Sequence, residues 1–198
     1  MINKNKAKLK IALPILSFLP NLGGMEVGLH NLATQLLRKG HKPVVITSYS
    51  IFKKLKKKEL NLGYEVKSFP PFIFLFFQLS SSFGFFYFKK IFEYFDKVYK
   101  FDFWHVTSAF PLGISFIKYA KKKKIPYLIR CVGEDIQFEK NIGYGYSKKE
   151  KNEKLIQKYI KQAKNLVAVS DSILDCYHKL GVMQSKVHKV TNGVVLEN

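Results

Sequence analysis

The segment Pro20-Asn-Leu-Gly-Gly-Met-Glu-Val-Gly-Leu-His-Asn-Leu-Ala-Thr-Gln-Leu-Leu-Arg-Lys-Gly-His41 constrains the fold most tightly. It follows an apolar strand candidate at 8–15. Gly23 and Gly24 stand where that strand must turn into a helix. Met25, Leu29, Leu32, Ala33 and Leu36 then recur at helical spacing, which predicts a helix over 24–39 with one buried face. Gly40 falls where a helix C-terminus takes a left-handed residue, and Val44-Val45-Ile46 begins a second strand. A strand, a glycine turn and a helix start leave free backbone N–H groups together. Such a place suits an anion, usually a phosphate.

The dinucleotide-binding fingerprint needs G-x-G-x-x-G and an acidic residue ending the second strand. Here the two glycines are adjacent and Thr47-Ser48 follows the second strand, so that fingerprint is absent. Further strands are predicted at 63–67, 101–106, 126–131, 165–169 and 186–190. Helices are predicted at 51–60, 84–98, 111–124, 147–164 and 171–180. This alternation implies an α/β fold: a doubly wound, mainly parallel, Rossmann-like sheet covered on both faces. No repeat or Gly/Ser linker divides the 198 residues, and 47% hydrophobic content suffices for one sizeable core.

Three clusters carry candidate chemistry. Asp102-Phe-Trp-His105 is read as closing a strand, where His105 either donates to an acceptor hydroxyl or phosphate or tethers a loop. In Arg130-Cys-Val-Gly-Glu-Asp135 a strand ends, a glycine turns the chain, and two carboxylates follow. Arg130 can hold an anion, and Glu134 and Asp135 can bind sugar hydroxyls, or Asp135 can cap the turn. Ala168-Val-Ser170 ends a strand and opens a helix, so Ser170 reads as an N-cap. Near the end stands Lys189-Val-Thr-Asn192-Gly-Val194, in which Asn192-Gly193 is also an ordinary turn signal.

In that order these motifs resemble the N-terminal domain of the family-four retaining glycosyltransferases, enzymes of the GT-B fold. The family form P-x-x-G-G-x-E, helix, G-H, strand is matched by Pro20, Gly23, Gly24, Glu26, Gly40 and His41. D-x-x-H is matched by Asp102 and His105, and H-G-x-D by Gly133 and Asp135, with Val132 replacing the family histidine. The family's V-S matches at Ser170, and N-G-V at Asn192 to Val194, with Thr191 in place of a proline. The resemblance implies that residues 1–198 form an acceptor-side domain. The donor-binding domain, with its E-x-x-x-x-x-x-x-E motif, is then expected outside this chain, in cis or in trans. It implies transfer of a sugar from a nucleotide-sugar to a glycan or lipid-linked acceptor with retention, without cofactor or essential metal. Gly23 and Gly24 would approach the donor phosphate or the acceptor, and His105, Arg130, Glu134, Asp135 and Ser170 would line the acceptor side. The alternative is a non-catalytic glycan- or lipid-binding protein, or a subunit of a split enzyme.

The net charge of +20 directs attention to acidic partners. Only Arg38 and Arg130 are arginine, which argues against reading nucleic-acid bases. Residues 69–88 carry no charge and are rich in phenylalanine, with lysines at 53–58 and 89–90 nearby. Core or inter-domain packing, a patch dipping into an anionic membrane surface, and a membrane span are the three readings. Pro70-Pro71 and Ser80-Ser81-Ser82 oppose one continuous helix and so oppose the span. Two lone cysteines, Cys131 and Cys176, and a lysine-rich start without a long apolar run point to a cytoplasmic protein, peripheral at most to the inner face of the plasma membrane.

Overall fold

The computed structural model describes residues 7–70, 72–121, 123–137, 145 and 150–193. Seven strands form one parallel sheet: β1 (Lys10–Pro14), β2 (Lys42–Ser48), β3 (Glu65–Phe69), β4 (Phe103–Thr107), β5 (Tyr127–Cys131), β6 (Leu166–Ala168) and β7 (Val187–Lys189). Their order is β3-β2-β1-β4-β5-β6-β7. The winding reverses between β1 and β4, the position at which doubly wound sheets open a ligand crevice. The connecting helices are α1 (Gly24–Arg38), α2 (Tyr49–Lys57), α3 (Ile73–Leu79), α4 (Ser81–Tyr99), α5 (Ile114–Ala120), α6 (Glu150–Ile160) and α7 (Asp171–Lys179).

Side-chain alternation along the strands divides the interior into two layers. Ile11, Leu13, Ile15 and Val45 meet Leu29 and Ala33 of α1 and Ile51 and Leu55 of α2. Ala12, Val44, Ile46, Val106 and Ile129 face the opposite layer, built on α4, α5, α6 and α7. At the centre of that layer Trp104 is wholly buried, with Phe92 and Phe116 packed on it at centroid distances of 5.8 and 4.9 Å. Because the central strands are buried on both faces, KIALP and PVVIT read as nearly continuous apolar runs.

Gly40 adopts the expected left-handed conformation, φ +83°, and its N–H closes α1 on Leu37 O at 2.8 Å. His41 then accepts a hydrogen bond from Leu9 N at 3.2 Å, tying the entry of β1 to the exit of α1. Asp102 does the same for Lys10 N at 2.7 Å, so its carboxylate fastens strands together.

The uncharged aromatic run departs most from expectation. It forms two helices, α3 and α4, broken at Ser80, whose hydroxyl accepts from Ser82 N at 3.1 Å and caps α4. A helix over 73–79 was not expected from the sequence, because a run of phenylalanines shows no polar-apolar contrast from which to read a period. Phe69, Phe77, Phe85 and Phe88 enter the core, whereas Phe72, Phe83 and Phe86 are exposed. Among the described residues no helix is long and apolar enough to cross a membrane.

Candidate functional site

A cavity of about 510 Å³ opens at the C-terminal edge of the sheet, beside the β1–β4 reversal. Each wall comes from a chain segment leaving a strand. The loop after β1 contributes Ser17, the start of α1 contributes Gly24 and Glu26, and the loop after β4 contributes Ser108. Val132, Glu134 and Asp135 follow β5, and Asn192 follows β7. The first-turn N–H groups of α1 precede any intrahelical partner and carry the positive end of the helix dipole.

The paired glycines have different reasons. The buried Glu26 carboxylate folds back over Gly23, where a Cβ would stand 2.6 Å from Glu26 Oε2. Gly24 has nothing within 4 Å of its Cβ position and faces the cavity. Gly23 thus admits Glu26, and Gly24 keeps the wall open. Glu26 was not among the site residues expected, although the G-G-x-E spacing could have shown it, since N3 of a helix returns toward its N-cap.

Asp135 is buried and accepts three backbone hydrogen bonds, from Ala109 N (2.6 Å), Val132 N (3.0 Å) and Gly133 N (2.9 Å). Burial pushes its pKa up, while these donors pull it down. Its oxygens are therefore engaged in fastening the loop after β4 to the loop after β5. Asp135 thus acts as the turn cap that the sequence offered beside a sugar-binding role, and it also lines the cavity. The turn it closes requires Gly133, at φ +139°. Exposed Glu134, the next carboxylate, has no such ties and lines the cavity. Ser108 is held at φ +93°, a sparsely populated conformation for a non-glycine residue, with its hydroxyl donating to Phe110 O at 2.8 Å.

Arg130 and His105 lie elsewhere. β4 runs to Thr107, so His105 sits within the strand and not at its end. It faces α1 from under a second cavity of about 630 Å³, also bounded by Arg130, Leu32, Leu128 and Val167. Burial, then the nearby Arg130 charge, lowers its pKa to about 3, and Nε2 is buried without a hydrogen-bond partner. His105 is thus neutral and lines the second cavity from within β4, two residues short of the strand end at which the sequence placed it.

Buried Arg130 hydrogen-bonds Asn192 through Nη2, clamping the segment after β7 against α1. Gly28 makes the room: a Cβ there would stand 3.4 Å from Arg130 Nη2 and 3.7 Å from Asn192 Nδ2. Asn192 lines both cavities and joins the two sites. Gly28→Ala should change stability by no more than about 0.5 kcal/mol, because relief of the helical glycine offsets a tight contact. Gly28→Val should lose about 1–3 kcal/mol through displacement of the guanidinium. Denaturation midpoints of the two variants measure this; equal midpoints would remove the clamp from the account. Ser170 caps α7, accepting from Ile173 N at 3.4 Å, and is not among the residues lining either cavity.

Residues 22–198 match the family profile described as Glycosyltransferase Family 4. The chain belongs to glycosyltransferase family 4. No curated protein matches this family-four chain. Among solved structures it is similar to a glycosyltransferase from Rickettsia africae, with a TM-score of 0.64 and 20% identity over 96% of this chain and 44% of that one. It is also similar to HepE of Anabaena in complex with UDP-glucose (TM-score 0.62, 14% identity, 94% and 44% coverage). A UDP-GlcNAc 2-epimerase from Methanocaldococcus jannaschii gives 0.59 at 17% identity, with 94% and 46% coverage. The chain spans less than half the length of each. These likenesses show a fold shared by transferases and an epimerase, so the transferase assignment rests on the family match.

Proposed function

We propose that this chain is the acceptor-side half of a retaining glycosyltransferase that moves a sugar from a nucleotide-sugar to a glycan or lipid-linked acceptor. The observation that carries the reading is the cavity at the strand reversal, with the N-terminus of α1 and the open face of Gly24 directed at it. Uncapped first-turn N–H groups favour the phosphate of a donor or the oxygens of an acceptor. Glu134 offers acceptor oxygens to sugar hydroxyls from the opposite wall. Asp135 keeps the two loops in place, and Arg130 keeps Asn192 at the rim. That HepE binds UDP-glucose supports a nucleotide-sugar as the donor here. No side chain of the cavity is assigned as a nucleophile.

A donor-binding domain, in cis or in trans, supplies the other wall of the cleft in this reading. Transfer depends on holding donor and acceptor together away from water, which one wall does not achieve. The purified chain should therefore show no transfer with a panel of nucleotide-sugars, and should gain transfer when a family-four donor domain is added. Turnover by the chain alone would overturn the half-enzyme reading. A second reading, a binding subunit without catalysis, is favoured by Val132, since valine at the family's histidine position neither donates nor accepts a hydrogen bond. Ligand binding without turnover in either mixture would select it.

A further inference from the structure

We propose that the α3–α4 hairpin and the groove between α4 and α5 form a docking face for an anionic lipid bilayer, with the groove taking a lipid phosphate. This rests on residues outside the sugar-transfer cavity and does not depend on that function.

The apolar part comes from exposed side chains on both helices of the hairpin. Phe72, Leu75 and Leu79 recur at the spacing of one helical stripe and are 55, 51 and 66% exposed. On α4, Phe83 and Phe86 are 60 and 59% exposed, and Lys90 continues their stripe with its ammonium 5.6 Å from the Phe86 ring centroid. Five large exposed apolar side chains within fifteen residues, on the two helices of one hairpin, are more than the scattered exposure of ordinary surfaces. Neither helix can span a bilayer, so contact would be interfacial, with the rings at headgroup depth and lysines at the rim.

The charged part lies beside it. A groove of about 480 Å³ between α4 and α5 is lined by Phe85, Phe86, Lys89, Lys118 and Lys123. One carboxylate lines it, Glu93, 3.7 Å from both Lys89 and Lys90. Three ammonium groups thus face one carboxylate. Lys123 also donates to Tyr119 Oη at 2.9 Å, and Lys118 stands 4.2 Å over the Phe85 ring. Ser115, only 3% exposed, lines the same groove with an Oγ that has no hydrogen-bond partner. A hydroxyl without a partner, in a groove also lined by three lysines, supplies donors suited to phosphate oxygens. An apolar patch beside a cationic groove fits an anionic bilayer better than a second copy of this chain, whose charge of +20 would repel it.

The hairpin leaves the C-terminal end of β3, and Phe77 packs against Phe110 in the loop after β4 at 5.3 Å between centroids. The α3 end of the docking face therefore lies near the sheet edge that carries the cavity at the strand reversal.

The test is flotation of the purified chain with vesicles of phosphatidylcholine alone, and with about one-third phosphatidylglycerol. We expect at least about tenfold stronger partitioning onto the anionic vesicles, reduced by salt. The double variant Phe83→Ser/Phe86→Ser should lose about tenfold or more, and Lys89→Gln/Lys118→Gln on the order of twentyfold, at about fivefold per lysine. Ser115→Ala should weaken only the anionic binding. All these side chains except Ser115 are exposed, and an unchanged melting temperature confirms that the fold is kept. Equal partitioning onto both vesicles, or double variants that bind like the parent, would overturn the proposal. So would soluble glycerol phosphate that binds the groove as tightly as vesicles do. Self-association lost in the phenylalanine variant, without vesicle binding, would assign the face to a second copy instead.

Discussion

Asp135→Ala is expected to destabilise the protein by about 3–5 kcal/mol, and Asp135→Asn by roughly half that. The carboxylate is buried and satisfies three backbone N–H groups contributed by two loops. Alanine leaves all three donors without a partner, and each buried orphan costs about 1–3 kcal/mol before relaxation or water entry reduces the sum. Asparagine keeps an acceptor for Val132 N and Gly133 N but turns an amide N–H₂ toward Ala109 N. For a chain of this length the alanine change corresponds to a fall of about 10–15 °C in melting temperature. The same substitution should loosen both walls of the cavity. Nucleotide-sugar binding by the assembled enzyme should therefore fall even at temperatures where the variant stays folded. A melting temperature within a degree or two of the parent would show that Asp135 does not hold the loops.

Gly24→Val should abolish transfer by the assembled enzyme, at least about a hundredfold, while leaving the chain folded. Nothing lies within 4 Å of the Cβ position at Gly24, so the protein itself has room for the side chain. Valine in the first turn of a helix costs well under 1 kcal/mol. The space it fills is the cavity, at the point where the α1 backbone would approach an anion. The matched control is Gly23→Ala, which presses on the Glu26 carboxylate and should cost stability before it costs ligand space. Activity near parental in Gly24→Val, measured alongside an unchanged melting curve, would remove the α1 N-terminus from the reaction.

Both variants concern features of unequal visibility in the sequence. The turn at Gly23-Gly24, the stripe of α1 and the left-handed Gly40 follow from local rules. Helical period, glycine freedom and the alternation of buried strands operate within about ten residues of chain, and they determined the layered parallel fold. The edges of elements were less firm. Placing the end of β4 one residue early set His105 at the rim of the crevice; with β4 carried to Thr107 it lies within the strand, neutral and under α1. The aromatic run hid α3 because it lacked polar contrast.

What only the tertiary structure decided is which groups meet across long separations. Asp135 reaches Ala109 across 26 positions, and Arg130 reaches Asn192 across 62. These pairings depend on strand register, on which crossover follows which strand, and on the reach of loops at one sheet edge. No local pattern encodes them: an Asp after a glycine turn looks the same whether its oxygens await a sugar or are taken by three amides. The sequence determined the strand, glycine turn and helix beside which the cavity opens, and where the helix dipole points. Tertiary packing decided that Asp135 and Arg130 hold the crevice in shape, while Glu134, Gly24 and the N–H groups of α1 remain free to face what enters it.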